Sequence, residues 1–132
     1  MKKKMVISMA VLLLLTAIVF PMAEARGAMM DATGGCNISH VGKTVTIGGY
    51  TSSTDDEDTI RVIISLQEKI DGKWYTLTVK SKTEKDTDFV STTKDYTVSG
   101  GHYYRVYATH YAKTGTVVCT TSSWTGSLWI PQ

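Results

Sequence analysis

Thr59 to Lys80 read TIRVIISLQEKIDGKWYTLTVK. In the first half, Ile60, Val62, Ile64 and Leu66 alternate with Arg61, Ile63, Ser65 and Gln67. That period of two places one set on each face of a β-strand. Asp71-Gly72 follows, two residues that tolerate positive φ and so form the best two-residue hairpin signal in the chain. Lys73 to Lys80 then returns to β-branched and aromatic residues. An antiparallel hairpin at the centre sets the class of the whole domain.

Outward from this hairpin, turn signals recur every ~8–14 residues and no stretch carries a helical period. The spacing predicts strands at Cys36 to His40, Thr44 to Thr51, Thr59 to Gln67, Lys73 to Lys80, Phe89 to Val98 and His102 to Ala112. A seventh begins at Thr116 and runs, with a kink at Gly126, to Ile130. Nineteen threonines lie beyond residue 25, a composition that suits half-exposed strands and disfavours helix. Seven short strands predict an all-β, seven-stranded antiparallel sandwich, with a closed barrel as the competing architecture.

The first 25 residues read differently. Lys2, Lys3 and Lys4 precede an apolar run from Met5 to Phe20, and Ala23-Glu24-Ala25 supplies the small-x-small pattern of a cleavage site. The run is short of the ~20 apolar residues of a membrane span, and Pro21 follows it. The expected organisation is a cleavable signal peptide over 1–25, a flexible Gly-rich lead-in over 26–35 and the β-domain over 36–132. The mature protein is expected outside the cell, with no membrane span. The leader takes three of the 14 basic residues and one of the 12 acidic ones, leaving 11 of each. A neutral chain of about 107 residues has no basic stripe to track phosphates, so nucleic acid is not an expected partner.

Two cysteines remain, Cys36 and Cys119. An oxidising exterior favours a disulfide between them, which would close a long loop; two small buried hydrophobes are the alternative. Asn37-Ile38-Ser39 matches a glycosylation sequon, which a bacterial leader makes irrelevant.

Tyr104-Arg105-Val106-Tyr107-Ala108, after the Gly100-Gly101 corner, resembles the penultimate strand of fibronectin type III and related immunoglobulin-like domains. The resemblance implies an inward tyrosine, Tyr103 or Tyr104, that ties down the preceding corner. More narrowly, the chain resembles a domain-of-unknown-function family of small secreted proteins of Gram-positive bacteria. Cys36 and Ile38, Val45-Thr46-Ile47 with Gly49, Leu66-Gln67, Gly72-Lys73-Trp74 and Tyr103-Tyr104-Arg105-Val106 carry that likeness. These are core and turn residues, so they imply a fold and lend no catalytic group.

No nucleophile elbow of Gly-x-Ser-x-Gly form occurs. His102 and His110 are eight residues apart on one strand, about 26 Å at the strand rise and too far to share a metal. With His40 at a turn, all three are expected at the surface or rim. Asp55, Asp56, Glu57 and Asp58 fall in one predicted loop, and Glu84, Asp86 and Asp88 in another at the same end. Together they are weak calcium candidates, weighed against two solvated loops partly neutralised by Lys82, Lys85 and Lys113.

Tyr103, Tyr107 and Tyr111 share a strand face with Arg105 and Thr109, opposite Tyr104, Val106 and Ala108. The second set is the better core set, so the first is expected outward, with Trp74, Trp124 and Trp129 able to extend it. Such a strip suits sugar rings or a protein partner; cross-strand pairing on an ordinary solvated sheet is the alternative. The expectation is a non-enzymatic secreted binding module without a cofactor, taking a cell-wall glycan or an extracellular protein at Tyr103, Arg105, Tyr107 and Tyr111. A self-assembling matrix or toxin-like protein and a calcium-dependent adhesion module are the alternatives.

Overall fold

A computed structural model describes residues 32–132; the expected leader and the start of the lead-in lie outside the described residues. Within them, β1 (Ala32–Val41), β2 (Thr44–Ile70), β3 (Lys73–Thr97), β4 (His102–Thr114), β5 (Val117–Trp124) and β6 (Leu128–Ile130) form one antiparallel sheet. The hydrogen-bonded path runs β1-β2-β4-β5, with β3 paired to β2 and β6 to β4.

The all-β expectation holds, with six strands in place of seven. The predicted strands Thr44 to Thr51 and Thr59 to Gln67 are the two halves of β2. Those at Lys73 to Lys80 and Phe89 to Val98 are the two halves of β3. Acidic and threonine-rich sequence between the halves reads as loop, yet it contains neither Pro nor Gly, and the ladder continues through it. The register shifts between Ser52 and Glu57, and Asp86 takes a φ of 54°. A bulge of this kind bends both strands without ending them.

The bend curls the sheet. The first half of β2 lies between β1 and the second half of β3; its second half lies between β4 and the first half of β3. The two halves of β2 then meet across the interior. A Cβ added to Gly49 would lie 2.5 Å from Ile64 Cγ2. The alternating set read from the sequence forms the core, with Leu66 beside Val106, Ile64 beside Ala108 and Ile60 beside Ala112. All six are fully buried, together with Val45, Ile47, Val62, Tyr104 and Ile130.

The hairpin signal is also met. Asp71 and Gly72 have φ of 51° and 79°, and Ile70 pairs with Lys73. At the corner before β4, Tyr104 is the inward tyrosine: its hydroxyl accepts from Gly100 N–H at 3.1 Å and donates to Glu68 Oε2 at 2.9 Å. At the kink, Thr125 leaves the ladder by bonding Val106 through both its N–H and its Oγ1, and pairing resumes at Leu128.

Two expectations are corrected here. Ala32 to Gly35 belong to β1 rather than to a flexible lead-in, paired with Ser53 to Tyr50. Cys36 and Cys119 are free thiols, not a disulfide. Cys36 meets Ser123 on β5, its Sγ 3.5 Å from Ser123 Oγ. Cys119 sits four residues back along that strand, about 13 Å at the strand rise, beyond the reach of a bridge.

Candidate binding face

The site grows from the alternation of β4. Tyr104, Val106 and Ala108 point into the core, so Tyr103, Arg105, Tyr107, Thr109 and Tyr111 point out. The register then gives each large outer residue a partner on a neighbouring strand. Tyr103 opposes Trp129, Tyr107 opposes Trp124, Tyr111 opposes Arg61 and Arg105 opposes Gln67.

The contacts follow from those pairings. Tyr103 meets Trp129 edge-on at 5.0 Å between ring centroids, with planes at 62°. Tyr107 stacks with Trp124 at 6.1 Å and 21°, and its hydroxyl lies 3.0 Å from Ser122 Oγ. The Arg61 guanidinium covers the Tyr111 ring at 4.8 Å. Arg105 lies over Trp74 at 4.3 Å, while its Nε–H donates to Gln67 Oε1 at 2.7 Å. Lys69 approaches the same indole at 5.8 Å.

These pairs do two things at once. They stabilise the sheet through cross-strand contact, and they hold large aromatic groups at fixed places in solvent. Trp124 is 61% exposed, Trp129 50% and Tyr103 47%. Arg105 is flattened on an indole with its Nε–H engaged by Gln67, and a guanidinium carries four further N–H donors. The four residues expected on β4 are thus placed on one face, with all three tryptophans beside them. Arg61 and Gln67 were not singled out, although both stand in the outward set of the Thr59 to Gln67 alternation.

The inner face of β4 departs from expectation at His110, which is 1% exposed instead of lying at the rim. Being even-numbered, it falls with Tyr104, Val106 and Ala108. Thr51 Oγ1 donates to Arg61 O at 2.8 Å, so it accepts from His110 Nδ1–H at 3.0 Å. Nε2 is then the acceptor for Ser123 Oγ–H at 2.7 Å. Desolvation holds the imidazole below its ordinary pKa, against a raising contribution from the Tyr50 backbone, so the ring is neutral. Backbone at Gly34 closes over it: a Cβ there would lie 2.1 Å from Nδ1. This is a sealed structural network rather than an accessible nucleophile and base. His102 is half-buried, and His40 Nδ1 lies 2.8 Å from Gly42 O at the β1–β2 turn.

The acidic residues are not loops at all. Glu57 is buried and accepts from Ser53 Oγ and Thr114 Oγ1, both at 2.5 Å. Asp58 Oδ2 accepts from Gly115 N–H at 2.8 Å. These carboxylates fasten the bend of β2 to the β4–β5 turn. Among the described residues no three His, Cys, Asp or Glu side chains gather as a metal-holding group. Asp55, Asp56 and Asp58, weighed as calcium candidates from the sequence, stand on β2, and Asp86 and Asp88 stand on β3.

No protein-family model matches the chain, and no curated protein matches it. Among solved structures, the solution structure of R. palustris CsgH is similar with a TM-score of 0.44 and 12% sequence identity, over 71% of this chain and 90% of that one.

Proposed function

We propose that this is a secreted, non-enzymatic bacterial module that binds a cell-wall glycan on the outer face of β4 and its neighbours. In this reading the curled sheet serves as an immunoglobulin-like sandwich, and the family of small Gram-positive secreted proteins is its context. The observation that carries the proposal is the clustering of Trp124, Trp129 and Tyr103, each about half exposed or more, around an Arg105 already held flat. Sugar rings offer apolar C–H faces to such rings and hydroxyls to the guanidinium and to Gln67.

The test is binding to purified, protease-stripped cell wall at low salt. Trp124→Ala with Trp129→Ala should weaken binding by about tenfold or more while leaving the circular dichroism spectrum unchanged. Absence of binding to stripped wall, or binding only to wall that retains its proteins, would overturn the glycan reading in favour of a protein ligand.

A further inference from the structure

Along all 25 residues of β3, the only strand paired with it among the described residues is β2. Its other edge presents backbone N–H and C=O groups to whatever lies beside it, a template for a further strand. From Tyr75 to Asp88 most side chains are exposed on both faces as well. Such an edge normally invites uncontrolled pairing, and inward-pointing lysines are a common defence.

Lys80 and Lys82 stand in that position. They oppose Ile64 and Val62 in the register and so point to the inner side of the sheet. With Ser81, Ser91, Thr92 and Thr93 they line an open cleft of about 500 Å³ between the two halves of β3. Lys80 Nζ donates to Thr93 O at 2.9 Å across it. A strand added at this edge sends alternate side chains toward the cleft. Basic or apolar side chains there would face two ammonium groups unfavourably; carboxylates would be matched.

The chain carries such carboxylates two and four residues on. Place a second copy antiparallel to the first so that Thr83 opposes Thr83. Lys82 then opposes Glu84 of the second copy, and Lys80 opposes Asp86 of the second copy. The two-fold axis repeats both pairs, giving four matched charge pairs. Neighbouring registers are poorer: centring on Lys82 keeps only the pairs of Lys80 with Glu84 and sets Lys82 against Lys82, and centring on Glu84 keeps Lys82 with Asp86 and Lys80 with Asp88 but sets Glu84 against Glu84 at the axis. The same alternation is visible within one chain, where Lys82 Nζ lies 3.6 Å from Glu84 Oε2. We propose that two copies of this chain pair through the β3 edge in the antiparallel register centred on Thr83. The lysines then select this partner and repel others.

The experiment measures the mass of the full chain in solution by sedimentation equilibrium from micromolar to millimolar concentration. The wild-type chain is expected to dimerise. Lys82→Glu and Glu84→Lys each place like charges opposite, and each alone should associate about tenfold more weakly. Mixed in equal amounts, the two variants restore opposite charges at both positions and should form a heterodimer of wild-type strength. A second readout uses Thr83→Cys in a chain with Cys36→Ala and Cys119→Ala. Mild oxidation should link it into a dimer, whereas Thr116→Cys in the same background stays monomeric. A wild-type chain that remains monomeric throughout the range overturns the proposal. So does a dimer that either charge variant leaves intact, or one in which Thr83→Cys fails to cross-link, since pairing would then use another surface. The Trp124 and Trp129 variants leave this edge untouched, so failure of glycan binding and failure of self-pairing are read separately.

Discussion

Replacing Gly34 by Ala tests the placement of β1 and the burial of His110 in one step. The added Cβ would lie 2.1 Å from His110 Nδ1 and 2.4 Å from Cε1 and Cγ. The ring must shift, and it is held at 3.0 Å from Thr51 Oγ1 and 2.7 Å from Ser123 Oγ. Leaving a buried polar group without its partner costs about 1–3 kcal/mol, and overpacking a close-packed site about 1–3 kcal/mol. Gly→Ala returns about 0.4–1 kcal/mol through the unfolded chain. The net expectation is a loss of about 3 kcal/mol. For a domain of about 100 residues, each kcal/mol moves Tm by about 4–8 °C, so Tm should fall by about 12–24 °C. Thermal and urea unfolding followed by tryptophan fluorescence measure it. A mobile lead-in would instead give an unchanged or slightly higher Tm. A fall of less than about 4 °C refutes the argument. The clash should also vanish in a His110→Ala background, where the space is vacated and the two substitutions couple strongly. Gly126→Ala, with nothing within 4 Å of the new methyl group, serves as the control.

Two further outcomes follow from the buried polar groups. Burial lowers the His110 pKa from 6.5, so the unfolded chain binds its proton first as pH falls. The stability it contributes is fully present above about pH 6.5 and is lost as pH falls through the lowered folded value, by at most about 1.4 kcal/mol per pH unit; His110→Gln should remove that slope in urea unfolding measured across this range. Tyr104→Phe removes the acceptor of the Gly100 N–H and the donor to Glu68, and should cost about 2–3 kcal/mol, against about 0.5 kcal/mol or less for Tyr103→Phe on the outer face. Desolvation and the Glu68 hydrogen bond raise the Tyr104 pKa above 10.0. Its contribution is therefore present below pH 10 and lost as pH rises through the folded value, a slope that Tyr104→Phe should abolish in alkaline unfolding.

Much of the candidate face was legible because strand alternation is local. Once Tyr104, Val106 and Ala108 are read as inward, Tyr103, Arg105, Tyr107 and Tyr111 must point out. The same parity also marks His110 as inward, yet histidine is ordinarily polar and exposed, so its chemistry argued for the rim. Only the presence of Thr51 and Ser123 on opposite sides of the ring makes its burial tolerable. The acidic clusters misled for a related reason. Carboxylates usually mark solvated turns, but here Glu57 and Asp58 find donors in Ser53, Thr114 and Gly115, two of them 57 residues away.

The sequence by itself determined what depends on neighbours in the chain. That includes the all-β class, the Asp71-Gly72 hairpin, the inner and outer faces of the third predicted strand and of β4, and a tyrosine poised at the corner before β4. The tertiary structure alone decided whether β2 and β3 end or bend, because a ladder stops only when its partner does. It also decided the state of the cysteines: Cys36 lies against Ser123, 87 residues away, and not against Cys119. Hydrophobic periodicity records which way a side chain points. Which distant strand lies opposite it is set by register, and register is a property of the folded sheet.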